Sequence, residues 1–269
     1  MSLKKRLIGS ILVFFYFLAF ILFSFNYKIK LLLSLPLCIG ILYELLQFLE
    51  YKDIKKYFYF FNLLFFFLLN LLNLSSINLG LIFIFLLTIN FCILIYKNIL
   101  DKDTFLITIL ISLYLYFLST FLKLNIKELI YLLSIVWTTD TFAYFIGTKF
   151  GKKRFTLISP KKTIEGTLGG VFIGSLISSF IFFILFKSES FTYIDLNIAS
   201  FLKIFTLSLI LSFLVQIGDL FSSYIKRIYN IKDFSNLVYG HGGILDRLDS
   251  LLFVSVFIYI LFQIKLGVK

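Results

Sequence analysis

The chain has 269 residues, of which 60% are hydrophobic and 37 are phenylalanine, and its formal net charge is +12. This composition excludes an ordinary soluble domain, and the continuous apolar runs exclude the alternating pattern of an outer-membrane barrel. Positive charge spread over the loops of a membrane protein indicates orientation and anionic headgroups, so we expect membrane lipids and no nucleic acid as partners.

Apolar runs long enough to cross a bilayer recur from end to end and predict an all-α polytopic membrane protein with about nine transmembrane helices. The predicted spans are residues 7–26, 29–48, 58–75, 78–96, 105–121, 127–148, 167–187, 199–222 and 250–267. The first five are almost featureless and form a predicted scaffold region, residues 1–125. The last four lie in residues 126–269, which also contain the predicted catalytic loops.

The distribution of lysine and arginine predicts the orientation of these spans. With the N-terminus in the cytoplasm, most of the 26 basic residues fall on the cytoplasmic side, as the positive-inside rule requires. The two most polar loops, 149–166 and 223–249, then lie together on the cytoplasmic face. We therefore expect a polar site there.

Glu44 and Asp140 are acidic residues inside predicted spans. Charge is expensive within a bilayer, so an intramembrane acid is a functional candidate by default. Asp140 has threonine neighbours at 138, 139 and 141 and joins the candidate site. Glu44 has no group of polar neighbours like that of Asp140, so its side chain is expected to face Tyr43 or a loop lysine.

The loop 149–166 ends in Ser159-Pro160-Lys161-Lys162-Thr163. Simple positive-inside bias is one interpretation of its lysines. The surrounding hydroxyl and acidic residues favour another, a helix start that receives an anion. Beyond it, Gly166, Gly170 and Gly174 repeat every four residues, which predicts close helix packing in the bilayer and allows a homodimer contact.

The stretch from Ser223 to Asp249 combines closely spaced charged residues of both signs with glycines, and almost everything around it is apolar. Asp219, Ser223 and Lys226 lie on one helix face, so Asp219 either pairs with Lys226 or serves a metal-bound phosphate. Asp246 and Asp249 precede the last span, where acids also suit the helix dipole. Closely spaced carboxylates also suit Mg²⁺, which takes its other ligands from water and phosphate. The glycine-rich stretch 240–243 allows the backbone to approach a phosphate closely.

These residues resemble the signature of the phosphatidate cytidylyltransferases, also called CDP-diacylglycerol synthases. The C-terminal pattern of that family is met here by Ser223, Ile225, Lys226, Arg227, Lys232, Asp233, Ser235, His241, Gly242, Gly243, Ile244, Asp246, Arg247, Leu248 and Asp249. Two further blocks agree, Gln216-x-Gly218-Asp219-Leu220 and Trp137-x₂-Asp140-x₂-Ala143-Tyr144 with residues 159–166. The chain departs from the pattern at Tyr239, where proline is usual, and at Ser222, where glutamate is frequent.

The resemblance implies an enzyme of phospholipid biosynthesis that converts CTP and phosphatidate to CDP-diacylglycerol and pyrophosphate in a bacterial inner membrane. It implies Asp219, Asp246 and Asp249 as ligands of Mg²⁺, with room for a second cation. The implied catalytic residues are these three aspartates with Lys226, Arg227 and His241. The implied substrate-binding residues are Asp140, Ser159, Lys161, Lys162, Thr163, Lys232, Asp233, Gly242, Gly243 and Arg247.

Two alternative functions stay open. A CTP-dependent lipid or polyprenol kinase would release CDP instead of pyrophosphate. A cation-coupled transporter would use Asp140 and Asp219 as a pathway, but it needs polar groups near mid-membrane, whereas these lie toward one face.

Overall fold

The computed structural model describes residues 3–49, 52–71, 76–96, 101–186, 198–238 and 242–266. In these ranges the regular structure is helical, and β-pairing is limited to two isolated bridges, Arg154 with Thr163 and Val238 with Gly242. Ten helices follow one another in the described chain: α1 (Leu3–Leu22), α2 (Tyr27–Leu33), α3 (Leu35–Leu46), α4 (Lys52–Leu71), α5 (Ser76–Tyr96), α6 (Lys102–Lys123), α7 (Ile126–Phe150), α8 (Ile164–Phe186), α9 (Ile198–Ile228) and α10 (Leu245–Leu266).

Five helical stretches of the described chain are long and apolar enough to cross a membrane. They are Tyr27–Leu46, Lys102–Lys123, Ile126–Phe150, Ile164–Phe186 and Ile198–Ile228. The prediction of an all-α polytopic membrane protein is thereby confirmed. Nine spans and a cytoplasmic N-terminus stay predictions.

The predicted second span consists of two helices that meet at Ser34, the residue between the end of α2 and the start of α3. Its hydroxyl donates to the carbonyl of Leu31 at 2.7 Å. Pro36 lies in the first turn of α3, where a missing N–H does no harm, whereas in a continuous helix it would remove a hydrogen bond and clash with the preceding turn. Glu44 therefore lies on a separate helix, α3, which begins at Leu35.

The described chain groups into two compact units, of which the first comprises Met1–Lys123, Ile231–Leu248 and Tyr259–Lys269. Buried amide side chains connect its membrane helices. Asn62 on α4 and Asn90 on α5 exchange hydrogen bonds of 2.8 and 3.0 Å, and Asn70 donates to Ser119 on α6 at 3.1 Å. Hydrocarbon offers no partner to these groups, so such pairs favour one arrangement of otherwise uniform helices.

The second unit comprises Leu124–Asn230 and Asp249–Ile258, and in it α7 packs against α8. The glycine repeat of α8 makes this approach possible. A Cβ at Gly170 would lie 2.6 Å from the Cβ of Ala143, and one at Gly174 would lie 2.7 Å from Oγ1 of Thr139. The glycine spacing thus gives close helix packing, as predicted. The homodimer contact stays a prediction.

Candidate active site

A cavity of about 410 Å³ lies in the second unit, among α7, α8, α9 and the loop between α7 and α8. Its polar lining comes from three separate blocks of the sequence. These residues are Asp140, Tyr144, Thr148, Lys161, Lys162, Thr163, Thr167, Gln216 and Asp219. We call this space the lysine cavity.

Lys162 is the central cation of the lysine cavity. Its Nζ lies 2.5 Å from Oδ2 of Asp219 and donates to Oε1 of Gln216 at 2.9 Å. Both acceptors are on α9, so the ion pair connects the loop to that helix. The structure thus pairs Asp219 with Lys162, a partner that the simpler sequence interpretation, pairing with Lys226, does not include.

The backbone of the loop holds Lys162 in place. The N–H of Phe155 donates to the carbonyl of Lys162 at 2.8 Å, and the N–H of Ile164 donates to the carbonyl of Lys153 at 2.9 Å. Thr163 then precedes α8 as a capping residue, because its Oγ1 accepts the N–H of Gly166 at 3.1 Å. The loop therefore presents Lys162 from a folded turn.

The other cations of this unit have different surroundings. Arg227, at the end of α9, is exposed and donates from Nε to the carbonyl of Ile158 at 3.2 Å, which connects the helix to the loop. Lys226 is half-buried, and Lys161 is exposed at the edge of the cavity. In the loop, Ser159 accepts the N–H of Lys162 at 3.1 Å through its carbonyl.

Three carboxylates of this unit interact electrostatically, with Asp219 as the common member. The charge of Asp219 repels the charges of both Asp140 and Asp249, while Lys162 attracts Asp140 and Lys226 attracts Asp249. Asp249 is buried, and its Oδ1 accepts the N–H of Ser250 at 2.8 Å. This concentration of negative charge suits a cation.

Gly218 explains how Asp219 comes close to α10. A Cβ at residue 218 would lie 3.0 Å from the Cα of Ser250 and 3.0 Å from the Cβ of Phe253. Only a glycine allows so close a contact without displacing the neighbouring helix.

The second group of predicted site residues lies in the first unit, at residues 233–238 and 242–245, which we call the signature turn. Oδ2 of Asp246 accepts the N–H of Phe234 at 2.8 Å and that of Gly243 at 2.9 Å. Gly242 has a φ of +83°, a conformation that favours glycine. Lys232 and Asp233 are exposed at its start, and Arg247 is exposed just after it. His241 lies outside the described residues.

Glu44 is the functional candidate that sequence reasoning underestimated. It is fully buried on α3, and both carboxylate oxygens accept hydrogen bonds from the signature turn. Oε1 accepts Ser235 Oγ at 2.6 Å and the N–H of Ile244 at 2.6 Å, and Oε2 accepts the N–H of Leu245 at 2.8 Å. The expectation that Glu44 faces Tyr43 or a loop lysine is therefore wrong.

One signal in the sequence pointed toward this contact. Gln47 lies three residues after Glu44, on the same side of α3, and its Nε2 donates to the carbonyl of Phe234 in the same turn. A second polar residue at that spacing inside an apolar run indicates a polar partner for both.

The described residues contain no group of three or more Asp, Glu, His or Cys side chains arranged to hold a metal ion. What the second unit does offer is the mutually repelling carboxylates of Asp140, Asp219 and Asp249, together with a lysine, Lys162, held between two oxygen acceptors. Such an arrangement can bind a polyphosphate with its cation.

Comparison with known proteins gives one family over nearly the whole chain. The cytidylyltransferase family matches residues 4–265. The phosphatidate cytidylyltransferase of Thermotoga maritima is 37% identical over 158 residues, which cover 57% of this chain and 57% of that protein. The phosphatidate cytidylyltransferase of Bacillus subtilis is 40% identical over 138 residues, 51% of this chain and 48% of that protein.

A third relative, the phosphatidate cytidylyltransferase of Staphylococcus saprophyticus, is 44% identical over 128 residues, 47% of this chain and 45% of that protein. The chain spans about half the length of the curated relatives it matches.

Proposed function

Because the chain belongs to the cytidylyltransferase family, we propose that it is a phosphatidate cytidylyltransferase of a bacterial inner membrane. The reaction would be CTP plus phosphatidate giving CDP-diacylglycerol and pyrophosphate, a step of phospholipid biosynthesis. The observation that carries this proposal is the lysine cavity, where Lys162 is held by Asp219 and Gln216 beside Asp140. The names of the relatives support the same reaction.

The chemistry requires positioning more than base catalysis. An oxygen of the phosphatidate phosphate attacks the α-phosphorus of CTP, the bond from that phosphorus to the bridging oxygen of the β-phosphate breaks, and pyrophosphate leaves. The attacking oxygen is already an anion, so the main obstacle is bringing two anions together. Lys161 and Lys162 in the cavity, with Lys226 and Arg227 at the end of α9, are the proposed cationic contacts.

Lys162 is suited to hold a phosphate while it keeps its protein contacts. An ammonium group has three donors, and Asp219 and Gln216 account for two acceptors. A phosphate oxygen is the proposed third. Thr163, Ser159 and Asp140 would complete the binding of the substrates around the same cavity.

Mg²⁺ fits the donor chemistry of this unit. Mg²⁺ takes one or two carboxylates, several waters and the oxygens of substrate phosphates, so it does not need the ready-made group of three ligands that the described residues lack. Asp219 and Asp249, whose charges repel each other, are the proposed protein ligands in this unit. Asp246 stays a ligand predicted from the sequence, as does the second cation.

When bound, Mg²⁺ would supply charge stabilisation for the triphosphate. Lys232, Asp233, His241, Gly242, Gly243 and Arg247 of the signature region are proposed as substrate contacts on the resemblance alone.

A groove in the first unit supports a lipid substrate. It has a volume of about 310 Å³ and lies beside the signature turn. Its lining is apolar apart from the hydroxyl of Tyr16 and one cation, Arg247; the apolar residues are Val13, Phe17, Pro36, Leu37, Leu237, Val238, Ile244 and Leu248. We propose that it holds part of an acyl chain, with Arg247 near the lipid phosphate.

The identity of the products tests the proposed function. Purified protein with phosphatidate, Mg²⁺ and CTP labelled on its α-phosphate should transfer the label to the lipid and release an equal amount of pyrophosphate. A parallel reaction with diacylglycerol or a polyprenol in place of phosphatidate supplies the hydroxyl acceptor that a kinase needs. Transfer of label from γ-labelled CTP to that lipid, with CDP as the product, would instead identify a kinase. Absence of CTP turnover with all of these lipids would contradict both enzymatic functions.

A further inference from the structure

We propose that Glu44 is a positioning residue, which holds the signature turn in the conformation that catalysis requires by capping helix α10 from helix α3. The catalytic part of this inference rests on the proposed function. The capping part rests on the contacts alone, so the two can be tested separately.

The first step is the missing local cap of α10. The helix begins at Leu245, and the preceding residue is Ile244. Ser, Thr, Asp and Asn are the usual residues at that position, because their side chains accept the unpaired N–H groups of the first turn. An isoleucine has no acceptor, so the capping group must come from elsewhere.

The second step is that Glu44 supplies that acceptor. Its Oε1 and Oε2 accept the consecutive N–H groups of Ile244 and Leu245 at 2.6 and 2.8 Å. The third contact, from Ser235 Oγ at 2.6 Å, brings the start of the signature turn to the same carboxylate. A carboxylate at a helix N-terminus also interacts favourably with the helix dipole. One buried side chain thus holds both ends of the turn.

The third step concerns the glycine at residue 243. A Cβ there would lie 2.6 Å from Oε1 of Glu44, 2.9 Å from its Cδ and 3.0 Å from Oδ2 of Asp246. Any other residue would force the two carboxylate groups or the turn to shift. Gly243 therefore favours the contact with Glu44 as well as any approach of a substrate phosphate.

The fourth step connects this contact to the reaction. Asp246 and Arg247 directly follow the two capped N–H groups in α10, so their positions depend on where that helix starts. A misplacement of about 1 Å in a catalytic group can cost roughly a hundredfold in rate. Loss of the Glu44 contacts should consequently reduce turnover even though Glu44 touches no substrate.

Two substitutions separate the capping role from a general effect on folding. Glu44→Leu removes all three acceptors. Glu44→Gln keeps one oxygen and places an amide group against one of the donors, so it should be intermediate. The control is Asn62→Leu, which also removes a buried hydrogen-bonded side chain of the first unit, from the pair with Asn90 on other helices.

Hydrogen exchange of the full chain in detergent, followed on peptides covering residues 242–246, measures the cap directly. We expect exchange in these peptides to be at least about tenfold faster in Glu44→Leu, intermediate in Glu44→Gln, and unchanged in Asn62→Leu. We expect kcat to fall by about 10- to 100-fold in the same order at nearly constant KM for CTP, and to be unchanged per folded molecule in the control.

Unchanged exchange in both Glu44 variants would overturn the capping role. Faster exchange with normal kcat would overturn the catalytic part of the inference, and so would an equal loss of kcat in Asn62→Leu. If Glu44→Leu does not fold, Glu44→Gln and Ser235→Ala, which removes a single contact, give the same comparison. Wild-type protein without cytidylyltransferase activity, but with exchange that depends on Glu44, would contradict the proposed function and leave the capping role supported.

Discussion

Single side chains determine what the lysine cavity can bind, and Lys162 shows this most directly. Its Nζ lies between Asp219 and Gln216, so its position is set before any substrate enters. Lys152 and Lys153 lie in the same loop, but they contact Glu165 through their backbone N–H groups, which donate to its carboxylate. The same loop therefore contains lysines in two different roles, and substitutions can distinguish them.

Replacing Lys161 and Lys162 together with glutamine should leave membrane insertion normal and lower kcat/KM. Each lost charge-assisted contact is worth about 1.5–3 kcal/mol, or roughly ten- to a hundredfold in rate. Steady-state kinetics with CTP and phosphatidate measure the effect. Lys152→Gln with Lys153→Gln is the matched control and should be mild. Equal losses from the two pairs would mean that the loop acts only as a cationic surface.

Asp219→Asn keeps the size of the side chain and removes its charge. We expect activity to fall by orders of magnitude, because the substitution removes a proposed Mg²⁺ ligand and the anionic partner of Lys162. A titration of activity against Mg²⁺ provides the measurement. Asp103→Asn, at the exposed start of α6, is the control. Near-normal turnover of Asp219→Asn at low Mg²⁺ would show that the ligand assignment is wrong.

At the scale of elements, close contacts between helices place the site residues. Gly170 on α8 packs on α7 at Thr139 and Ala143, which lie on either side of Asp140 in the sequence, and Gly218 next to Asp219 packs on α10. The nearest atoms met are backbone and Cβ atoms, which cannot move aside as the end of a side chain can. The geometry of the lysine cavity thus depends on residues that never line it.

Gly170→Ala should separate α7 from α8. The new Cβ would lie 2.7 Å from both the N of Ala143 and the carbonyl oxygen of Thr139, and overpacking of this kind costs about 1–3 kcal/mol. Gly169→Ala is the control, because its new methyl group would meet only the side chain of Ile146, which can rotate. Thermal unfolding in detergent should show a clearly lower Tm for Gly170→Ala alone. Similar Tm values for the two variants would contradict this account of α8.

Local features of the site were predictable, whereas for Glu44 the nearby Gln47 indicates a polar partner without identifying it. The glycine repeat of α8 is a spacing within one helix, and Thr163 accepts an N–H only three residues further on, so both can be recognised from nearby residues. The partners of Glu44 lie 191 to 201 residues away. Two of them are backbone N–H groups, which nearly every residue possesses, so they leave no mark in the pattern of side chains. The break at Ser34 can be predicted from Pro36, which is only two residues away. The direction in which the Glu44 side chain points cannot, because its partners are distant in the sequence.

At the scale of the whole molecule, the polar loops were predicted to share the cytoplasmic face. The shared face depends on the number of spans, and the five long apolar stretches of the described chain leave that number a prediction. Chemical labelling from each side of the membrane tests the number, because an odd number of spans between two labelled positions places them on opposite sides.

A cysteine in place of Thr156 should react with a membrane-impermeant thiol reagent only from the cytoplasmic side, and one in place of Phe191 only from the opposite side. The exposed Cys92 should first be replaced by serine, whereas Cys38 is buried. Mass spectrometry of intact cells and inverted vesicles gives the measurement. Labelling of both positions from one side would contradict the nine-span arrangement and the shared face.

The distance along the chain between Glu44 and its donors has a consequence for biogenesis. A ribosome completes α3 long before it reaches Leu245, which lies 201 residues further on. During that interval the nascent chain holds a carboxyl group in an apolar helix without the donors that later satisfy it, a costly state in hydrocarbon. The start of α10 therefore completes a helix that was synthesised much earlier, and a messenger cut short before Leu245 would yield a chain in which Glu44 lacks these donors.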